Sequence, residues 1–348
     1  MPVIQTAERN RRELLAREGA AVGRLADAYR ILSTSLQDKI RTLELEVSAM
    51  GSAGTLSVDK VQRLTVYGSL LEQVGEELTR FGIIADNELR VSSRYAIDTG
   101  LQHSQRLVQS YFDFNPNLTK AFAVSWDNLP VEAIEKMLGF LGTGSPLHSS
   151  LLNALSANGV SVFENTLLEG IGLGYNPNKV ARLAQQALGQ PLTWAINTVR
   201  TAQMYAYREA TRSNYIANSD IVEGWVWYTQ LNGVACLSCV NNHGRRFDLG
   251  VPLNDHHLGR CVALPYLPDK FGITQPTYED GETYFNSLPE SQRIQRMGRA
   301  KYMAYQAGEF RFSELSEVYA NDVYGDMQKE ASLVGILGTR ARQYYANP

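Results

Sequence analysis

The chain has 348 residues, 44% hydrophobic and 20% charged, enough to bury a real core in two or three compact units. Its 33 Lys and Arg stand against 36 Asp and Glu, so global charge gives no argument for nucleic acid or an acidic surface, and no segment is a basic arm. The start becomes charged within ten residues, unlike a secretion signal, and no apolar run approaches the roughly 18 residues that span a bilayer; a soluble protein with no membrane partner is expected.

Val22, Leu25, Tyr29, Leu32, Leu36, Ile40, Leu43, Val47 and Met50 recur at steps of three and four, which predicts one long amphipathic helix over residues 7–50. GSAG at Gly51 to Gly54 breaks it, and Ser57 is the expected N-cap of a second helix. That helix places Val61, Leu64, Tyr67, Leu71, Val74, Leu78 and Phe81 on one face, and the two make an antiparallel hairpin that packs on itself. Helix continues over 83–112 to a stop at Asn115-Pro116, and Phe114 to Pro130 has no assigned structure. Short helices are expected at Val131 to Phe140, Leu147 to Asn158 and Ser161 to Glu169. GIGLGYNPN at Gly170 to Asn178 reads as a helix-breaking turn, because no strand precedes it and a nucleotide loop needs a third glycine or GK[ST]. Two further helices follow, Asn178 to Gly189 and Pro191 to Asn218. The second carries Arg200, Tyr205, Tyr207, Arg208 and Arg212, expected on a solvated face.

The period then changes, and Val222 to Gln230 reads as a strand, with shorter ones at Arg246-Phe247 and Val262 to Leu264. All three cysteines and three of the five histidines lie between Cys236 and Cys261. Cys236 and Cys239 form a C-x2-C pair whose thiolates can converge on one ion, and His256 or His257 with Cys261 can supply the far side of a tetrahedron. The segment reads as a Cys3His zinc knuckle with His256 as fourth ligand, His257 and His243 being the alternatives. Four protein ligands leave no open position, so the zinc is expected to be structural, clipping a segment poor in apolar residues. Pro265, Pro268 and Pro276 mark linkers, Glu282 to Gly308 reads as helix with Ser287-Leu288-Pro289-Glu290 as an N-terminal cap that puts proline in the first turn, Ser313 begins a last helical segment, and Ala331 to Pro348 reads as an extended arm.

Several features together resemble the phage head morphogenesis or minor head protein family, the Mu F-like group: Arg-Thr-Ala-Gln at Arg200 to Gln203, a tryptophan strand, Cys236-x2-Cys239, Gly244-x-x-Phe247, Pro252-x-x-x-His256 and Arg260-Cys261. YFNSLPESQRIQRMG and KYMAYQAGEF are similar to the segment that follows the knuckle there, so the resemblance spans about residues 180–315. His257 stands where that family usually has proline, and Gly259 where it often has a cysteine. The resemblance favours His256 over His257. It implies a non-enzymatic minor head protein of the virion, near the portal vertex and assembled in the host cytoplasm, with portal protein, major capsid protein and packaged DNA as partners and no small-molecule substrate.

Enzyme readings fare poorly. A zinc deaminase needs H-x-E and P-C-x2-C, a serine hydrolase something like G-x-S-x-G, and neither occurs. A nuclease-like or DNA-binding module with a structural zinc is the alternative, and the slightly acidic 221–280 segment counts against it. The expected fold is a predominantly α-helical α+β protein: a helical hairpin and third helix over 1–112, a helical core over 113–220, a zinc-bound β unit over 221–280, and C-terminal helices with an arm over 281–348.

Overall fold

The computed structural model describes residues 2–345 apart from 53–56, 114–115, 140–141, 143 and 174. It is a predominantly helical α+β protein. The helical part comprises α1 (Pro2–Ser52), α2 (Val58–Gln62), α3 (Thr65–Gln109), α4 (Pro116–Ser125), α5 (Val131–Leu138), α6 (Pro146–Leu155), α7 (Ala157–Gly172) and α8 (Pro177–Ala217). Then come β1 (Gly224–Tyr228), α9 (Leu237–Asn242), β2 (Arg246–Asp248), β3 (Val262–Tyr266), α10 (Gly281–Ser287), α11 (Glu290–Met297) and α12 (Arg299–Gln306). The chain closes with β4 (Ser316–Asn321), β5 (Gly325–Glu330), α13 (Leu333–Leu337) and α14 (Arg342–Tyr345). Two compact units result, one from Leu15–Arg94 and Leu138–Gln203, the other from Met1–Leu14, Tyr95–Met137 and Met204–Pro348.

In the first unit the three-and-four spacing buries Leu25, Leu32, Leu36, Ile40, Leu43 and Val47 of α1, and α3 faces them with Tyr67, Leu70, Val74, Leu78 and Phe81. Leu70, not Leu71, is the fully buried member of that stripe. Lys39 reaches the Ser69 hydroxyl at 2.6 Å, and Arg24 holds Glu88 through two bonds of 2.8 and 2.7 Å, so numbers rise on α3 as they fall on α1, an antiparallel pair. Ser57 caps α2 by accepting from the Lys60 N–H, but the single helix expected from there to Phe81 is interrupted after Gln62 and resumes as α3 at Thr65. Part of the Gly51 to Gly54 break, Phe114, Asn115, Gly174 and the last three residues lie outside the described residues. Two further expectations change here. Gly170 and Gly172 belong to α7, and the break comes after them. The two helices expected around Pro191 are the single helix α8, because the Pro191 ring is buried against Gly159, which has no Cβ to meet it.

The second unit carries the three-stranded antiparallel sheet, in order β2-β1-β3. β3 is an edge strand, and the carbonyls of its odd-numbered residues face away from β1. Each meets a buried side chain: Arg208 Nε donates to Cys261 O at 3.0 Å, Tyr215 to Ala263 O at 3.2 Å and Tyr111 to Pro265 O at 3.0 Å. Pro265 is therefore strand rather than linker, and its missing N–H falls on the edge where no ladder bond is lost. On β1, Trp225 stacks on Phe247 of β2 with ring centroids 4.5 Å apart.

The C-terminal residues form their own core. Leu237 and Val240 of α9 pack in one cluster with Phe285, Met297, Tyr302, Phe310, Phe312 and Leu315. The helix expected over 282–308 is three short ones, interrupted at Leu288-Pro289 and at Gly298, whose φ is 79°. The helix expected after Ser313 is instead the β4–β5 hairpin: the Asn321 side chain accepts the Val323 and Tyr324 N–H groups at 3.0 Å each, and Gly325 turns with φ 72°. The tail is not an extended arm over 333–345. Leu333, Leu337 and Ala341 are buried in the same cluster, so the segment has its own chain to bury against. Phe285 is fully buried there, and Phe285→Ala should cost about 3–5 kcal/mol, read from urea unfolding midpoints.

Candidate metal centre

Each potential ligand is placed by an element of the second unit. Cys236 is the N-cap of α9, its sulfur 3.4 Å from the Cys239 N–H, and Cys239 lies in the first turn. One helical turn thus aims both sulfurs the same way, which is what the C-x2-C spacing does physically. α9 itself is fixed because all six of its residues are buried. Cys261 enters from the edge of β3, and His256 from the loop between β2 and β3.

Donor atoms within 4.8 Å of one another form two overlapping triads, Cys236 with Cys239 and His256, and Cys239 with Asp255 and Cys261. Cys239 is common to both. Cys239 Sγ lies 3.4 Å from His256 Nε2 and 3.2 Å from Asp255 Oδ1. His256 Nδ1 faces the His257 carbonyl at 2.7 Å, an acceptor for the Nδ1 proton, and this orients Nε2 toward the sulfurs. Cys261 Sγ contacts the Thr229 hydroxyl at 2.6 Å. This group of Cys236, Cys239, His256, Cys261 and Asp255 could hold a metal ion.

The electrostatics match soft-donor chemistry. The Cys239 hydrogen bond, with His256 beside it, lowers the Cys236 thiol to about 5 against the opposing effect of burial. The Cys236 sulfur in turn raises His256 to about 10, with Asp255 adding to the effect. Cys239 is pushed up by Cys236, then by Cys261 and burial. Burial pushes Asp255 up, but Arg208, His256 and the Cys261 N–H outweigh it and hold the carboxyl below its ordinary value.

The other two histidines point elsewhere. His257 Nε2 meets the Asn321 amide at 3.4 Å, near the rings of Tyr319 and Tyr324. His243 accepts the Thr229 N–H at 3.1 Å between Tyr228 and Tyr278. Two residues of the centre were not singled out as site residues from sequence. Asp255 precedes His256 as one acidic residue among 36, and Arg208 was expected on a solvated face, yet the Arg208 side chain is 5% exposed. No family model, curated protein or solved structure matches the chain.

Titrated with Co2+, His256→Ala should lose metal affinity whereas His257→Ala keeps it, as followed by the sulfur-to-metal charge-transfer band. His243 generates a separate prediction. Burial lowers it to about 4, so the fold favours the neutral ring, and between pH 6.5 and 4 the unfolded chain binds the extra proton. Its contribution is complete above pH 6.5 and is lost as pH falls through that window, at most about 3 kcal/mol. His243→Gln should flatten the acid limb of stability against pH, measured by urea unfolding from pH 7 to 4.

Proposed function

We propose that the chain is a non-enzymatic minor head protein of a tailed phage, with a structural zinc on Cys236, Cys239, His256 and Cys261. The observation that carries the zinc reading is the convergence of His256 Nε2 and the C-x2-C sulfurs, with the second imidazole nitrogen turned to a backbone carbonyl. Thiolate and imidazole suit zinc, which has no geometric demand beyond four close donors. Bound there, zinc supplies a cross-link between the start of α9, the β2–β3 loop and the edge of β3. The likeness of residues 180–315 to the Mu F-like group supports the head role.

In this reading the protein sits in the virion head near the portal vertex, contacts portal and major capsid proteins, and contributes to head assembly and to packaging or delivery of the genome. Quantitative mass spectrometry of purified particles tests it. A low, reproducible copy number tied to the portal is expected, and absence from particles overturns the head role. Purified chain should contain about one zinc, lost in Cys239→Ser; a metal content near zero in the wild type overturns the zinc assignment.

A further inference from the structure

We infer that Asp255 is the positioning residue of this centre: its carboxylate organises the ligand loop from outside the metal's coordination sphere, and Arg208 holds it in place. The inference rests on the zinc reading above and deepens it. Asp255 Oδ1 accepts the His256 N–H at 2.9 Å and lies 3.2 Å from Cys239 Sγ. Oδ2 accepts the Cys261 N–H at 3.2 Å and Arg208 Nη2 at 2.9 Å. One carboxylate therefore touches three of the four expected ligands. Both its oxygens are already engaged by protein donors, which is why it reads as a support rather than a fifth ligand.

Arg208 fixes the same loop twice more, donating to Gly259 O at 2.6 Å and to Cys261 O at 3.0 Å. The Asp255 and Arg208 side chains are 1% and 5% exposed, so neither has water as an alternative partner. The loop is shaped to this carboxylate. A Cβ on Gly259 would land on the Asp255 carboxyl group, and the preceding Leu258 takes a φ of 62° to bring the chain around it. Cys239 comes from α9 and His256 and Cys261 from the β2–β3 loop, and one carboxylate in contact with all three sets their separation before any ion arrives.

The test is Co2+ binding by the full chain, in competition with a chelator, with the absorption spectrum recorded for each variant. Asp255→Asn keeps the shape but removes the charge and replaces one accepting oxygen with an NH2 donor that cannot serve the donors it faces. It should bind cobalt about 10- to 100-fold more weakly, with the charge-transfer and d–d bands of the wild type. The double variant Arg208→Met with Asp255→Asn leaves no unpaired buried charge, although it also removes the Arg208 bonds to Gly259 O and Cys261 O; it should fold and show at least the same weakening with the same bands. Far-UV circular dichroism checks the fold of each.

Equal affinity in Asp255→Asn would overturn the inference, and altered bands would overturn it differently, by making Asp255 a ligand. A wild-type chain that takes up no cobalt would overturn the zinc reading and this inference together. Failure confined to the variants leaves the zinc reading standing.

Discussion

Arg208 and Asp255 form an ion pair at 2.9 Å that is almost completely removed from water. A pair in that position carries a large desolvation cost, and it persists only where further hydrogen bonds saturate both groups. Here they do: the guanidinium bonds to two loop carbonyls besides the carboxylate, and the carboxylate accepts two loop N–H groups besides the guanidinium. The loop from Asp255 to Cys261 has little apolar area with which to order itself. Its shape comes instead from polar bonds made in a dry environment, where each is costly to leave unmade. The path of the loop is thus set by the protein itself.

The same support extends along β3. Arg208 and Tyr215 lie seven residues apart, two turns of α8, and so project from one face of that helix. Their partners are successive outward carbonyls of the strand, and Tyr111, just past the end of α3, takes the next. An edge strand ordinarily exposes such carbonyls to water or to another chain. Here the row is consumed by side chains of the protein, which fixes the register of β3 along α8. That register in turn fixes where Cys261 enters the candidate metal centre.

How much of this was legible in the sequence depends on whether the information is local. The C-x2-C pair announces itself because one helical turn converts that spacing into convergent sulfurs, and the long apolar stripes of α1 and α3 announce themselves by period. Arg208 was not legible. A helix bearing Tyr205, Tyr207, Arg208 and Arg212 gives a face by its period, but not whether that face meets solvent or a buried carboxylate some 47 residues further on. Pro191 was misread for a related reason, since a proline ends a helix by local rules and tertiary packing on Gly159 overrode them. The β4–β5 hairpin was hidden because its strand signal is weak, while the Asn321 turn that makes it depends on which backbone groups a short side chain can reach. The tail looked unable to bury anything because Leu333, Leu337 and Ala341 are few, yet the cavity they fill is built by residues far away in sequence.

Cys239 shows why the β unit and the C-terminal residues cannot be treated as separate pieces. Its sulfur is shared by both donor triads, and its helix buries Leu237 and Val240 in the C-terminal core. The backbone of that helix is tied down further: the Leu237 N–H reaches Glu330 at 3.2 Å, and Gly281 is pressed so close that a Cβ there would strike the Val240 carbonyl. A six-residue helix has too few internal hydrogen bonds to be rigid alone. Its rigidity is borrowed from α10 and the β4–β5 hairpin, and the direction of the Cys239 sulfur is set by packing on the side of α9 away from the other candidate donors. Residues 281–330 therefore support the candidate metal centre through α9, the helix that carries Cys239.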